Sequence, residues 1–443
     1  MNTISTIVRI NLASFICVAP ALFSVPALAQ KLIPVPAPTG VQTTPTQPLT
    51  APPTAPLPAP LTRDEQRFRE LASYIKSRGS IDAQTRADIV KLAVDIDKDL
   101  TAATTDRDQM LRLLPARAQI SIWLDDSAAM DSAFERLLAV TTAPDAVVLA
   151  WARELNASGR FEKSAEVLQA RVFATDAKNI DAKIALADAL IATNRFEAAQ
   201  AALNSAPALG RTSEQMMAIG TATRRATFGR SLFNRELGAL IKDQQKGDLP
   251  VVEITTTRGP ILVELFEDQA PNTVGNFIEH IEAGTYTGTT FHRFMRGFGV
   301  QGGDPTTATG GIGGNSNGGW VIPDESTAAD RRAPLVGRLV MAKQHATDSP
   351  IKPASNSAGC QFTILTGPAE SLDGFYTVFG RVIDAMDRVN QLRAGDQILS
   401  VSVISKRNHE YKGVHLGAGS AGEYALPRPG IALTPAQSGE IGQ

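Results

Sequence analysis

The chain reads as a multidomain protein in which an array of α-helical hairpins precedes an antiparallel β-barrel capped by two helices. Three observations predict this. From Arg63 to about Lys246 the sequence is rich in Ala, Leu, Glu and Arg, with apolar residues at three- and four-residue spacing. Within that stretch a motif recurs after 35 residues. At Gly247-Asp248-Leu249-Pro250 the composition then shifts to β-branched residues and glycine, and alternation of the strand kind begins.

At 443 residues the chain exceeds one ordinary domain, and roughly two to three are expected. A formal charge of −2 advertises neither a nucleic-acid footprint nor a patch for anionic membranes, so neither partner is expected. Residues 1–29 read as a signal peptide: Arg9 closes a short basic region, Ile10 to Phe23 is largely apolar, and Ala27-Leu28-Ala29 gives the small-x-small cleavage pattern. An uncleaved signal anchor is the alternative. No other stretch approaches the ~18 consecutive apolar residues of a membrane span. The mature chain is therefore expected to be exported and soluble, in a bacterial periplasm or outside the cell. Cleavage after Ala29 removes Cys17 and leaves Cys360 alone, so no internal disulfide can form and stability must come from packed cores.

Residues 30–62 form a linker, with ten prolines between positions 34 and 60. Such a stretch favours extended polyproline II geometry and acts as a semi-rigid spacer. A docking peptide for a proline-binding partner, or an occupant of this chain's own binding groove, is the sharper alternative.

The helical region, 63–246, contains WARELNASGRFEKSAEVL from Trp151 and LADALIATNRFEAAQAAL from Leu186. The two place Phe161 and Phe196 at equivalent positions, each after a turn residue, Gly159 or Asn194. Small residues at Ala152, Ser164, Ala187 and Ala199 would let paired helices approach closely. The pattern resembles tetratricopeptide repeats, whose period is ~34 residues. Ala116 to Val140, with Trp123 and Phe134, reads as a diverged third copy. The resemblance implies a concave face that binds a peptide or a protein partner. Ser213 to Asp243 reads as a cap and connector.

In the C-terminal region, 250–405, Val251–Thr257 and Ile261–Phe266 alternate around the Arg258-Gly259-Pro260 turn and predict a hairpin. Pro271 suits a first helical turn; Val274, Phe277, Ile278 and Ile281 follow at i, i+3, i+4, i+7, and Gly284 stops the helix. A second short helix is expected over about Ile383 to Leu392 and a closing strand over Val401 to Ile404. Residues 406–443 are expected to form a tail, loose from about 412 because Gly, Pro and Ser are frequent and hydrophobic periodicity is weak.

Between Phe291 and Pro305 stands FHRFMRGFGVQGGDP. It sets a permanent cation, Arg293, and an amide, Gln301, on either side of an apolar bend, with no nucleophile among them. The string resembles the signature of the cyclophilin family of peptidyl-prolyl cis/trans isomerases. TTRGPILVELFEDQAPNTVGNFIEHI before it, and GRLVMAK, AGCQFTI and LDGFYTVFGRV after it, extend the resemblance over Val251 to about Ser405.

The resemblance implies an antiparallel barrel with a helix over each opening, and an isomerase of X-Pro bonds that uses no cofactor and no metal. It makes Arg293 and Gln301 catalytic, the guanidinium donating to the prolyl carbonyl and nitrogen. It makes Gln361 a partner of the substrate backbone, Phe298 and Leu372 walls of the proline pocket, and Tyr376 its rim. Ala342 and Lys343 would line the neighbouring groove. Thr363 and Gly299 depart from the family pattern, which carries larger apolar residues there, so a weakened grip on proline is expected; Ser371 stands where the family carries an aromatic, so tight cyclosporin binding is not expected. His292 is read as structural, since amide rotation needs no base. The other histidines show no metal-ligand spacing. Gly310 to Gly319 lacks the ending of a phosphate loop and reads as a flexible surface loop. Two function classes follow: an isomerase that assists the folding of exported proteins, or a catalytically weak proline-binding module in a complex assembled by the repeats.

Overall fold

The computed structural model describes residues 61–78, 81–172, 178–346 and 349–416. The expected signal peptide and all but the end of the proline-rich linker lie outside them. No helix among the described residues is long and apolar enough to cross a membrane. Those up to Trp151 form one compact unit, and those from Ala152 form a second. The composition change at Gly247 therefore marks a change of secondary structure, while the change of packing falls nearly a hundred residues earlier.

The first unit holds α1 (Arg63–Arg78), α2 (Ala83–Ala102), α3 (Arg107–Leu124), α4 (Ser127–Val140) and the first half of α5 (Pro144–Ala157). The first turn of a helix has N–H groups with no partner in the helix itself, and a short acceptor side chain just before it can satisfy one of them. Asp82, Asp106 and Asp126 do this, each accepting from the backbone three residues on. Trp123 stacks on Phe68 at 5.4 Å and Phe134 on Trp151 at 5.9 Å. The segment expected to be a third copy, Ala116 to Val140, spans the second half of α3 and all of α4.

The second unit begins with further helices, α6 (Phe161–Val167), α7 (Ile180–Ala192), α8 (Phe196–Asn204) and α9 (Ser213–Lys246). The 35-residue period is visible in the backbone: Arg160 N donates to Leu155 O and Arg195 N to Leu190 O, both at 2.8 Å. Gly159 and Asn194, with φ of +77° and +60°, make the same left-handed turn. Ala152, Ser164, Ala187 and Ala199 are fully buried, and Ser164 Oγ donates to Ala152 O at 3.0 Å, so these small residues do permit close helix approach. The expected connector is one 34-residue helix, α9, started by a Thr212–Gln215 capping box and stopped by Gly247 at φ +61°.

The strands are β1 (Val251–Thr256), β2 (Gly259–Leu265), β3 (Arg293–Met295), β4 (Gly299–Gly302), β5 (Arg338–Met341), β6 (His345–Ala346), β7 (Ser349–Pro353), β8 (Phe362–Leu365), β9 (Val378–Asp384) and β10 (Ile398–Ser405). Eight of them form one antiparallel sheet in the order β10-β1-β2-β9-β5-β8-β4-β3. Gly288 N donates to Ile398 O and Phe291 N to Asp396 O, so the segment before β3 reaches the start of β10 and the sheet curls back on itself. Two helices, α10 (Pro271–Glu282) and α11 (Met386–Gln391), bury Val274, Phe277, Ile278 and Val389 in the barrel core. Alternate residues of the strands point there too, among them Val252, Ile254, Val263, Val300, Leu339 and Ile364.

Residues 411–416, at the start of the expected tail, are held against the barrel. Tyr411 is buried and its hydroxyl donates to Glu267 at 2.5 Å, Gly413 N donates to Glu279, and Leu416 bridges Val321. Weak periodicity hid a segment that is held by polar contacts instead of an apolar stripe.

Candidate active site

Strand register builds the site. On β3 and β4 Arg293 faces Gln301; on β4 and β8 Gln301 faces Thr363; on β8 and β5 Thr363 faces Val340. Directly opposed residues share one face of a sheet, their Cβ atoms about 5 Å apart. One row therefore carries a cation, an amide, a hydroxyl and a valine on the face away from the barrel core. The adjacent row, Phe294, Val300, Ile364 and Leu339, faces inward.

Arg293 is exposed, and its guanidinium has neither an ion pair nor a hydrogen bond among the described residues. Gln301 Nε2 donates to Gln361 Oε1 at 2.9 Å. Gln361 Nε2 donates in turn to Ser316 O at 2.7 Å and Asp304 Oδ2 at 3.1 Å. The Gln301 amide is thereby fixed with its own carbonyl oxygen left to accept. Phe298 and Leu372 pack against one apolar cluster formed by Leu249, Phe266, Val340, Leu365, Ala369 and Val378. The turn that presents Phe298 is closed from the other side, since Phe298 O accepts from Thr366 and Gly367. A Cβ on Gly367 would lie 1.9 Å from Gly297 O, so only glycine fits.

The arrangement holds no nucleophile beside a base. It offers a permanent, unpaired cation, a preorganised amide acceptor and an apolar wall. That suits amide rotation, whose barrier of about 18–20 kcal/mol is amide resonance, so that a site favouring the twisted bond needs no proton transfer.

Residues 251–408 match the family of cyclophilin type peptidyl-prolyl cis-trans isomerases, and residues 155–218 match the tetratricopeptide repeat. A peptidyl-prolyl cis-trans isomerase of Synechococcus elongatus is 39% identical over 155 residues, 34% of this chain and 94% of that one. The chain belongs to the cyclophilin-type peptidyl-prolyl cis-trans isomerases. A peptidyl-prolyl cis-trans isomerase-like 2 of Cryptococcus neoformans is 37% identical over 186 residues, 40% of this chain but only 30% of that protein. A crystal structure of a Cryptosporidium parvum cyclophilin type isomerase is 30% identical over 36% of this chain and 99% of that one, with a TM-score of 0.31. Tetratricopeptide repeats therefore precede a cyclophilin domain in one chain.

Other expected positions of the cyclophilin domain differ in detail. Tyr376 is half-buried, and burial raises its phenol pKa while the nearby Arg293 charge opposes the shift. The Arg293 charge is thus close enough to be felt at the Tyr376 hydroxyl. Ala342 N donates to Gln361 O at 2.9 Å, which sets Ala342 beside the relay. Lys343 does not offer its charge to the groove. Its ammonium is tied to Asp324 at 2.6 Å and to the Phe375 carbonyl at 3.1 Å, and so braces the loop that carries Tyr376. Gln361 spends both of its N–H bonds on the protein and stands behind Gln301.

Gly299 corrects a second expectation. A Cβ there would lie 2.7 Å from Ile364 O and 2.8 Å from Thr363 Cγ2. The space beside Gly299 is already filled by β8, which must shift before a side chain can enter. His292 has its pKa lowered by burial, which the Asp304 charge opposes and the Arg293 charge reinforces. It packs under Gly313, whose Cβ would come within 2.7 Å of the His292 Cβ and Cγ atoms.

Sequence reasoning missed Asp304, although its motif contains it. Its carboxylate is fully buried and accepts from Thr306 N, Thr306 Oγ1, Asn315 N, Ser316 N and Gln361 Nε2. Burial alone would raise its pKa, but the donors from Thr306, Ser316 and Asn315 override that and lower it. The same bonds anchor the loop from Gly310, read from sequence as flexible, at Asn315 and Ser316. A lone Asp after two glycines gave no sign of such convergence. Among the described residues no group of His, Cys, Asp and Glu could hold a metal ion.

Proposed function

We propose that this isomerase acts on X-Pro bonds of exported polypeptides in a bacterial periplasm, with Arg293 as its catalytic residue and the repeats as the docking surface for clients or a partner. The single observation that carries the catalytic assignment is the unpaired guanidinium of Arg293 directly across from Gln301, whose amide is already oriented. With a prolyl peptide seated against Phe298 and Leu372, the planar guanidinium donates to the prolyl carbonyl and nitrogen. That draws the lone pair out of resonance, and a permanently charged fork does this better than an ammonium. Gln301 holds the neighbouring backbone. The leader pattern of residues 1–29 supports export.

The test is protease-coupled isomerisation of a series of X-Pro tetrapeptides by wild type and Arg293→Ala. Acceleration that collapses in the variant is the expected result. Equal, near-background rates would favour the second reading, a proline-docking module. What favours that reading is Thr363, a hydroxyl where the family carries an apolar wall. Cell fractionation of the tagged full-length chain, with the tag at its C-terminus, tests export: recovery in the cytosol would exclude it.

A further inference from the structure

The two loops that wall the proline pocket are each held by an ion pair from the helical array. Leu372 and Tyr376 flank Asp373, whose side chain is only 5% exposed. Arg235 on α9 donates to it through both Nη atoms, at 2.5 and 3.4 Å, and Arg331 from the barrel at 3.1 and 2.7 Å. Beside it Arg225 on α9 sits 3.7 Å from Glu370, at the start of the same turn. On the opposite lip Arg296, two residues before Phe298, donates to Glu154 on α5 at 2.7 Å, and the Glu154 side chain is 10% exposed. Behind the pocket Arg332 lies 3.5 Å over the Phe266 ring and is held by Glu236 and Asp243 of α9, all three nearly or fully buried.

We propose that Arg235 and Glu154 are positioning residues of the isomerase: through Asp373 and Arg296 they fix the separation of the Leu372 and Phe298 walls, so that the repeats complete the proline pocket. Buried, charge-assisted and partly bidentate bonds resist small displacements, and an isomerase that works by shape is sensitive to such displacements. Arg331 keeps Asp373 paired when Arg235 is removed, so the variant loses a restraint without stranding a buried charge. The inference rests on the reading of Phe298 and Leu372 as the proline pocket.

The experiment uses the full chain with Arg235→Ala, Arg235→Lys, Glu154→Gln and the Arg235→Ala/Glu154→Gln pair. An Ala-Ala-Pro-Phe anilide serves as substrate, and the uncleaved tetrapeptide is titrated by calorimetry. Each single loss should raise KM and the calorimetric Kd by about three- to ten-fold with kcat within about two-fold, as expected for a displaced binding wall. Arg235→Lys should recover part of the shift. Unchanged KM and Kd in the double variant would overturn the proposal. So would a fall in kcat at constant KM, which reports a smaller folded fraction. If wild type lacks Arg293-dependent turnover, the catalytic assignment fails by itself, and the Kd shift still decides this one.

Discussion

Gln361 accepts the side-chain hydrogen bond of Gln301 at 2.9 Å while donating its own to Asp304 and Ser316. The buried carboxylate, the first amide and the second amide thus form a relay that ends at the strand position opposite Arg293. A free glutamine amide flips and rotates; this one cannot do so without breaking bonds in a buried site.

Removing the middle of the relay should therefore act through its end. Gln361→Ala is expected to lower kcat/KM about five- to ten-fold, the size of one hydrogen bond's worth of orientation. Gln301→Ala should lose at least as much, and the double variant no more than Gln301→Ala alone. Losses that add in the double variant would show that Gln361 contacts substrate independently.

Gly299 sets a limit on repair. Introducing a side chain by Gly299→Ala should destabilise the fold by about 1–3 kcal/mol, since its Cβ would lie 2.7 Å from the Ile364 carbonyl oxygen and β8 would have to shift. Denaturant unfolding checks this. A variant as stable as wild type, with tighter peptide binding, would restore the reading of an emptied wall.

Acid should weaken the barrel through His280. Its ring is fully buried, stacks on Trp320 at 4.6 Å, and leaves Nε2 without a hydrogen-bond partner. Burial lowers its pKa from 6.5 to about 4, with Glu279 opposing and His415 reinforcing the shift. Between those values the unfolded chain binds the proton and the native chain does not. The contribution is complete above about pH 6.5 and falls as pH drops towards 4, by roughly 3 kcal/mol in all. His409, raised by the Glu410 carbonyl and Glu267, has the opposite sign: its contribution is present below pH 6.5 and is lost as pH rises. His280→Phe keeps a ring against Trp320 and removes the titration together with the hydrogen bond between Nδ1 and Thr285 Oγ1 at 3.2 Å, so its unfolding free energy should vary less between pH 4 and 7. Parallel profiles would refute the assignment.

Cys360 should be inert in the native state. Its thiol is fully buried, and burial, reinforced by Asp304, pushes its pKa up to about 12. In a Cys17→Ser background a thiol-specific chromogenic disulfide at pH 8 should register nothing before denaturation and one thiol afterwards. Rapid native reaction would point to a redox role.

Much of the fold was legible, for local reasons. Residues 274, 277, 278 and 281 reported a buried helix face, and alternation in 251–266 reported a hairpin, because burial imposes those periods on a segment wherever it packs. The 35-residue echo was legible because Gly159 and Asn194 each need a left-handed turn. That Arg293, Phe298 and Gln301 of the candidate site come together was legible as well, since they lie on one hairpin. Asp304 and the tail from Arg407 to Leu416 were not, because pairs such as Asp304 with Gln361, 57 residues apart, and Tyr411 with Glu267, 144 apart, leave no period behind.

The sequence by itself determined the order of helical repeats and barrel, the strand and helix faces, and the residue types of the candidate site. Tertiary structure alone decided which charges are spent and which are free. Lys343 and Arg296 are cations like Arg293, yet Asp324 and Glu154 neutralise the first two and leave the third exposed. Composition cannot express that difference. An ion pair depends on which distant surfaces register brings within about 3 Å, whereas a hydrophobic period depends only on the face a segment buries.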